Sequence, residues 1–125
     1  GASGGKSNDN ELVCIEVSPN IFIDAGNIIN GATNIDKIEH IFITHSHLDH
    51  ILDIALLIDA TFATRKISLK VYGSIGTLKS IKEHILNWEI WPDFTQINLT
   101  GTQIPSVELI NIDIDQTIQI DQYKI

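Results

Sequence analysis

The sequence contains one cysteine, few basic residues and no long hydrophobic run, and each shortage excludes a class of protein. Cys14 alone cannot form an intrachain disulfide or a multi-cysteine zinc site. The longest wholly aliphatic run, Ile54 to Ile58, is far shorter than the roughly 20 residues that span a bilayer. Eight Lys and Arg against 16 Asp and Glu give a formal net charge of −8. We therefore expect no membrane partner and favour no nucleic-acid partner, because both require a basic surface.

The start of the chain also lacks features of a targeting segment. It begins at Gly1 without an initiator Met, and without the charged start and apolar run of a signal peptide. Together with the single cysteine, this favours the cytoplasm. Because the beginning of the sequence looks incomplete, periplasmic or secreted localisation is left as an alternative.

Strand-like and helical patterns alternate along the chain, which predicts an α/β layered architecture. The patterns predict a hairpin with its turn at Ser18-Pro19-Asn20 and further short strands after residue 95. A helix that begins near Asp49 is apolar nearly all round, so we expect it to be buried on more than one side. The other predicted elements are strands at 12–17, 21–23, 41–44, 67–72 and 118–125, and a helix at 77–88.

The most informative segment is the run from His45 to His50, which follows an apolar strand. It places three histidines and an aspartate within six positions: His45, His47, Asp49 and His50. His45 and His47 lie two residues apart and can point to the same side, whereas Asp49 and His50 fall at the start of the next helix. This pattern predicts two adjacent metal ions, and the imidazole and carboxylate ligands make zinc the first expectation.

A solvated turn is the structural alternative for this segment. In that interpretation Asp49 caps the helix, as Asp commonly does, and the histidines are incidental. Three histidines so close together after a buried strand are hard to obtain by chance in a short chain. The metal interpretation is therefore favoured.

The same segment resembles the His-x-His-x-Asp-His signature of the metallo-β-lactamase superfamily. The upstream Ile-Asp-Ala-Gly sequence, which contains Asp24, resembles the first motif of that superfamily. The resemblance implies a metallo-β-lactamase-like αβ/βα sandwich, in which Asp24 supports the metal ligands from behind. Asp49 is then both a metal ligand and a catalytic residue.

Within the superfamily, three features are most similar to class II 3′,5′-cyclic-nucleotide phosphodiesterases. They are Leu48 before the Asp-His pair, the Ser3-Gly4-Gly5 turn and the segment 87–94. The RNA-processing branch typically has Gly at the position of Leu48. One departure is Asp53, since the wider family usually has a small residue three positions after the last motif histidine.

The resemblance implies hydrolysis of cyclic AMP or cyclic GMP to the 5′-monophosphate with two divalent metal ions. A complete site in this superfamily needs further ligands, and no histidine follows His84. We therefore expect residues 1–125 to be the N-terminal half of one domain, ending before the third metal-ligand motif and inactive in isolation. The alternatives are an RNA-processing phosphodiesterase, a thioesterase or a non-catalytic metal-binding module. The oligomeric state is left open, a homodimer included.

Other residues give weaker signals. Gly5-Lys6-Ser7 is a poor P-loop, because its first glycine would precede the chain. His40 and His84 have no partner ligand nearby in sequence. The aromatic residues Trp88, Trp91 and Phe94 are expected to pack in the core, and a wall beside the active site is the alternative.

Overall fold

The computed structural model describes residues 12–125. The Ser3-Gly4-Gly5 turn and the Gly5-Lys6-Ser7 segment lie outside the described residues. No helix within 12–125 combines the length and apolar character needed to cross a membrane.

A five-stranded sheet forms the centre of the fold, with its strands in the order β1-β2-β3-β4-β5. The first two strands form the predicted antiparallel hairpin, and every later neighbour is parallel. The strands are β1 (Ile15–Ser18), β2 (Ile21–Ile23), β3 (His40–Phe42), β4 (Leu69–Gly73) and β5 (Val107–Asn111). Parallel strands require crossovers, and helices provide them, so the predicted α/β class is confirmed.

Within residues 12–125, four helices and one 3-10 turn connect the strands. They are α1 (Ile28–Gly31), the 3-10 turn Ile35–Lys37, α2 (Leu48–Ile51), α3 (Asp53–Thr61) and α4 (Ile75–His84). The predicted helix at 77–88 begins two residues earlier, because Ser74 Oγ accepts a hydrogen bond from the Thr77 N–H (3.3 Å). It also ends earlier, and Trp88 then has a left-handed backbone (φ 71°).

The main core lies between the sheet and the helices. Phe22, Ile41 and Val71 stand at paired register positions on neighbouring strands, and all three belong to this core. Helix α3 buries Ile54, Leu57 and Ile58 completely, and each such side chain contributes about 1.5–3 kcal/mol. Leu52 and Leu56 are exposed, however. The expectation that this helix is buried on more than one side is therefore wrong for its outer face.

The opposite face of the sheet carries a smaller cluster around Ile21, Phe42 and Tyr72. Two short antiparallel strands pack on it, β6 (Gln119–Ile120) and β7 (Tyr123–Lys124). The single strand predicted over 118–125 is therefore wrong. The chain reverses at Asp121, whose φ is 50° and whose carbonyl accepts a hydrogen bond from Gln119 Nε2 (2.7 Å).

Candidate metal centre

The histidine segment lies at the carboxyl edge of the parallel strands. β3 ends at Phe42, and the chain then passes through His45 before α2 begins at Leu48. This edge is where open parallel sheets commonly bind ligands, because the loops that leave neighbouring strands converge there.

Three imidazole rings meet where this loop enters α2. The ring centroids of His45 and His47 are 4.6 Å apart, and those of His45 and His50 are 4.0 Å apart. Asp49 Oδ2 lies 3.5 Å from His50 Nε2. The structure therefore brings all four predicted ligands into one cluster.

Asp24 is the buried anchor of this cluster. Its side chain accepts a hydrogen bond from the Thr44 N–H (2.8 Å) and from the Thr44 hydroxyl (2.8 and 3.0 Å). Its Oδ2 also lies 2.7 Å from His50 Nδ1. A carboxylate at this distance holds the proton on Nδ1, so Nε2 of His50 carries the lone pair that a metal would use.

The backbone at Asp24 is also constrained. Its side chain is almost completely buried. Its φ is 61°, and a left-handed backbone costs about 1–3 kcal/mol in a residue other than glycine. The Asp24 N–H donates to the Phe42 carbonyl (2.8 Å), which ties the end of β2 to the end of β3. Strain of this kind is common where a functional side chain must be aimed.

The Ala25-Gly26 turn fits closely against the helix that follows the histidines. The Ala25 N–H donates to the His50 carbonyl (2.6 Å), and the Ala25 carbonyl accepts from the Asp53 N–H (2.8 Å). A Cβ on Gly26 would lie 1.9 Å from the Asp49 carbonyl oxygen, so only glycine fits there. These contacts replace helical hydrogen bonds and separate α2 from α3.

Asp53, the residue that departs from the superfamily pattern, has a structural role. Its side chain is buried, and Oδ2 accepts a hydrogen bond from the Ile29 N–H at 2.9 Å. The carboxylate therefore links the first turn of α3 to α1. The larger side chain is thus accommodated in a buried position against α1.

The cluster has the donor types of a metal site without a complete ligand set. Within residues 12–125, no three His, Cys, Asp or Glu side chains are arranged so that one ion could bind to all of them. The donor types nevertheless suit zinc, and Asp24 supplies the carboxylate that metal-bound histidines usually contact. The cluster fits a metal by its donor chemistry, and the ligand roles of its residues stay predictions.

The sequence did not single out Thr44, although its hydroxyl contacts both Asp24 and His45 Nδ1 (3.0 Å). The sequence feature that could have indicated Thr44 was its position between the last apolar residue of the predicted strand and the first histidine. His40 and His84 lie outside the cluster. His40 Nδ1 is 2.9 Å from the Tyr72 hydroxyl, and His84 is exposed at the end of α4.

The three aromatic residues after α4 have different environments. Phe94 is buried and contacts the ring of Phe62, as core packing predicts. Trp91 is partly buried, whereas Trp88 is 60% exposed. The prediction that Trp88 packs in the core is therefore wrong.

Comparisons with known proteins agree with this architecture. The profile of the family described as cAMP phosphodiesterases class-II matches residues 15–123. A 3′,5′-cyclic-nucleotide phosphodiesterase of Aliivibrio fischeri is 28% identical over 123 residues, which cover 75% of this chain and 36% of the relative. A ribonuclease Z of Methanococcus maripaludis is 51% identical over 51 residues, which cover 40% of this chain and 16% of the relative. The chain thus spans about a third or less of the length of these curated relatives.

A solved structure shows the same fold. The metallo-β-lactamase fold protein YhfI from Bacillus subtilis superimposes with a TM-score of 0.60 at 15% identity, covering 92% of this chain and 45% of that one. At this identity the likeness concerns the fold alone. The family profile covers most of the chain, and the chain therefore belongs to the class-II cAMP phosphodiesterase family, on a metallo-β-lactamase fold.

Proposed function

We propose that the protein containing this chain is a metal-dependent phosphodiesterase that hydrolyses 3′,5′-cyclic nucleotides to 5′-monophosphates. The main support is the histidine cluster anchored by Asp24, in a chain that matches the class-II family over residues 15–123. The proposal concerns the whole protein, because the chain spans only part of its relatives. Cytoplasmic localisation stays a further prediction.

In this proposal two divalent metal ions bind to His45, His47, Asp49 and His50, and zinc is the metal that we expect. Such ions supply a water nucleophile at neutral pH and offset the charge of the phosphodiester. Asp24 orients His50 by accepting its Nδ1 proton. Thr44 holds Asp24 in place with two donors, its N–H and its hydroxyl.

The charge of the chain supports a cationic centre. A formal net charge of −8 repels an anionic nucleotide over the whole surface. An acidic protein can bind such a substrate only where local positive charge exceeds this background. The histidine cluster is the part of the described chain whose donor types suit a divalent cation.

The test uses the full-length protein and several substrates in parallel. We expect cyclic AMP or cyclic GMP to be hydrolysed, activity to be lost after chelation and to return with zinc, and His47→Ala to remove most of it. His84→Ala is the matched control, because His84 is also exposed but lies on α4. Hydrolysis that persists after exhaustive chelation would contradict the proposal.

A ribonuclease is the second candidate, favoured by the 51% identity over 51 residues to a ribonuclease Z. Leu48 argues against it, because the RNA-processing branch typically has Gly at that position. Adding RNA and a thioester to the substrate panel separates the candidates. Cleavage of RNA without cyclic-nucleotide hydrolysis would favour the ribonuclease, and no turnover of any substrate would favour a non-catalytic metal-binding module.

A further inference from the structure

A cavity lies at the edge of the sheet opposite the histidine cluster. It encloses about 380 Å³ between the segments 36–39 and 61–67. The first segment leads into β3 and the second leads from α3 toward β4, so the cavity lies at the amino edge of these parallel strands. Small-molecule sites commonly enclose about 300–1,000 Å³. We call this cavity the Arg65 pocket.

Arg65 forms a buried wall of the pocket, since it is only 9% exposed. Its guanidinium donates to neutral oxygen atoms. Nη1 donates to the Ile38 carbonyl (2.8 Å), and Nε and Nη2 donate to the Thr61 hydroxyl (3.2 and 3.0 Å). These bonds use one N–H on each nitrogen, whereas a guanidinium has five in all. One N–H on Nη1 and one on Nη2 therefore remain for a ligand.

The positive charge of Arg65 has no direct counter-ion. Among the described residues, no carboxylate lies within ion-pair distance of the guanidinium, whereas buried arginines are almost always paired. Burial lowers the pKa of Arg65, and the more distant carboxylates of Glu39 and Asp36 oppose this shift. A buried guanidinium with unused N–H groups in the wall of a cavity is suited to bind a carboxylate.

The pocket also carries negative charge. Asp36 and Glu39 line it, and Asp36 Oδ1 lies 3.5 Å from the Thr64 hydroxyl. Together with Arg65 and Lys66, they give the lining two negative and two positive formal charges. A purely anionic ligand would be repelled by these carboxylates and by the net charge of −8 on the chain. A ligand that carries both signs of charge avoids this repulsion.

We propose that the Arg65 pocket binds a small zwitterion, namely an α-amino acid with an aliphatic side chain. Its carboxylate accepts hydrogen bonds from the remaining N–H groups of Arg65, and its ammonium group donates to Asp36 and Glu39. Its side chain packs on Ile67, which lines the pocket and is 46% exposed. Because the histidine cluster lies at the opposite edge of the sheet, binding here does not require the proposed hydrolase activity.

L-Leucine is the probe for the first test, and two analogues each lack one of its charged groups. 4-Methylpentanoate lacks the ammonium group, and isopentylamine lacks the carboxylate. Titration calorimetry of the full-length protein near neutral pH should show that leucine binds and that each analogue binds about tenfold more weakly or less. Binding of 4-methylpentanoate as tight as that of leucine would overturn the proposal, as would the absence of leucine binding up to about 10 mM.

The second test removes the negative charges and leaves the hydrogen bonds of Arg65 intact. The double variant Asp36→Asn/Glu39→Gln should bind leucine about tenfold more weakly and should bind 4-methylpentanoate at least as well as the wild type does. Asp59→Asn is the matched control, because Asp59 is an exposed carboxylate on α3 outside the pocket. A double variant that binds leucine as tightly as the control would contradict the role given to the two carboxylates.

A third measurement locates the bound amino acid without any substitution at Arg65, which also joins Ile38 to Thr61. Amide hydrogen exchange of the wild-type protein is compared with and without saturating leucine. We expect exchange to slow severalfold in the segment 61–67 and to be unchanged in the segment 45–52, which contains the histidine cluster. Slowing confined to 45–52, or no change in 61–67, would place the amino acid elsewhere and overturn the proposal.

Discussion

Asp24 Oδ2 and His50 Nδ1 lie 2.7 Å apart, although 26 residues separate them in the chain. The contact joins the end of β2 to the first turns after the histidine loop. It fixes the tautomer of one predicted ligand and holds the cluster against the sheet. The contact is therefore the first target for mutation.

We predict that Asp24→Asn weakens metal binding by about 10–100-fold, because an amide cannot hold the Nδ1 proton of His50 as a carboxylate does. Competition with a chromophoric chelator measures the affinity. Asp59→Asn is the control, since Asp59 is exposed on the same helical segment. Equal zinc affinity of the Asp24→Asn variant and the wild type would contradict the role assigned to Asp24.

Gly26→Ala should destabilise the protein by more than about 2 kcal/mol, because its Cβ would overlap the Asp49 carbonyl and displace the backbone. Gly76→Ala provides a matched comparison on α4, where a Cβ meets nothing within 4 Å. That variant should stabilise the fold by about 0.5–1 kcal/mol. Urea unfolding gives both free energies, and similar effects of the two substitutions would show that the packing at Gly26 is misjudged.

Asp53→Ala should cost about 1–3 kcal/mol, because it leaves the Ile29 N–H without its carboxylate acceptor. Asp53→Asn keeps an acceptor oxygen and should cost less. The ordering of the two free energies of unfolding is the measurement. An alanine variant as stable as the wild type would show that Asp53 does not hold α1.

Asp93 should make stability depend on pH in the acid range. Burial opposes the charged form, but hydrogen bonds from Lys82 and Thr95 outweigh it and hold the pKa of Asp93 below its usual range. The stabilisation is therefore present above the ordinary Asp pKa near 3.8 and is lost as the pH falls through the lower folded-state value. In Asp93→Asn, the loss of unfolding free energy between pH about 5 and about 2 should be smaller.

The control for Asp93 is again Asp59→Asn, which removes an exposed carboxylate on α3. The unfolding free energy is measured by urea titration at several pH values. If Asp93→Asn and the wild type lose stability equally on acidification, Asp93 is not the group responsible.

Local sequence patterns predicted much of the architecture. The second strand lies at 21–23 as expected, and the helix after the histidines begins within one residue of its predicted start. The hairpin turn lies at Pro19-Asn20, inside the predicted Ser18-Pro19-Asn20, because Ser18 still belongs to β1. These features depend on neighbouring residues, since β-branched runs favour strands and proline fixes a turn. The family resemblance is confirmed by the profile match over 15–123.

Features that depend on distant contacts were missed. The break between α2 and α3 follows from the Ala25-Gly26 turn, which takes hydrogen-bonding groups from the helix. The reversal at Asp121 is energetically useful because both short strands then cover the apolar face around Phe42 and Tyr72. The exposure of Leu52 and Leu56 likewise depends on which helical face meets the sheet.

The sequence alone determined the donor types and their adjacency, because His45, His47, Asp49 and His50 lie within six consecutive positions. Only the tertiary structure decided which side chains contact these predicted ligands from the side of the sheet. Ile23 and Phe42 are register partners on neighbouring parallel strands, so the residues that follow them emerge at the same edge of the sheet. Asp24 thereby reaches Thr44 and His50, because strand pairing brings together positions that the chain itself keeps far apart.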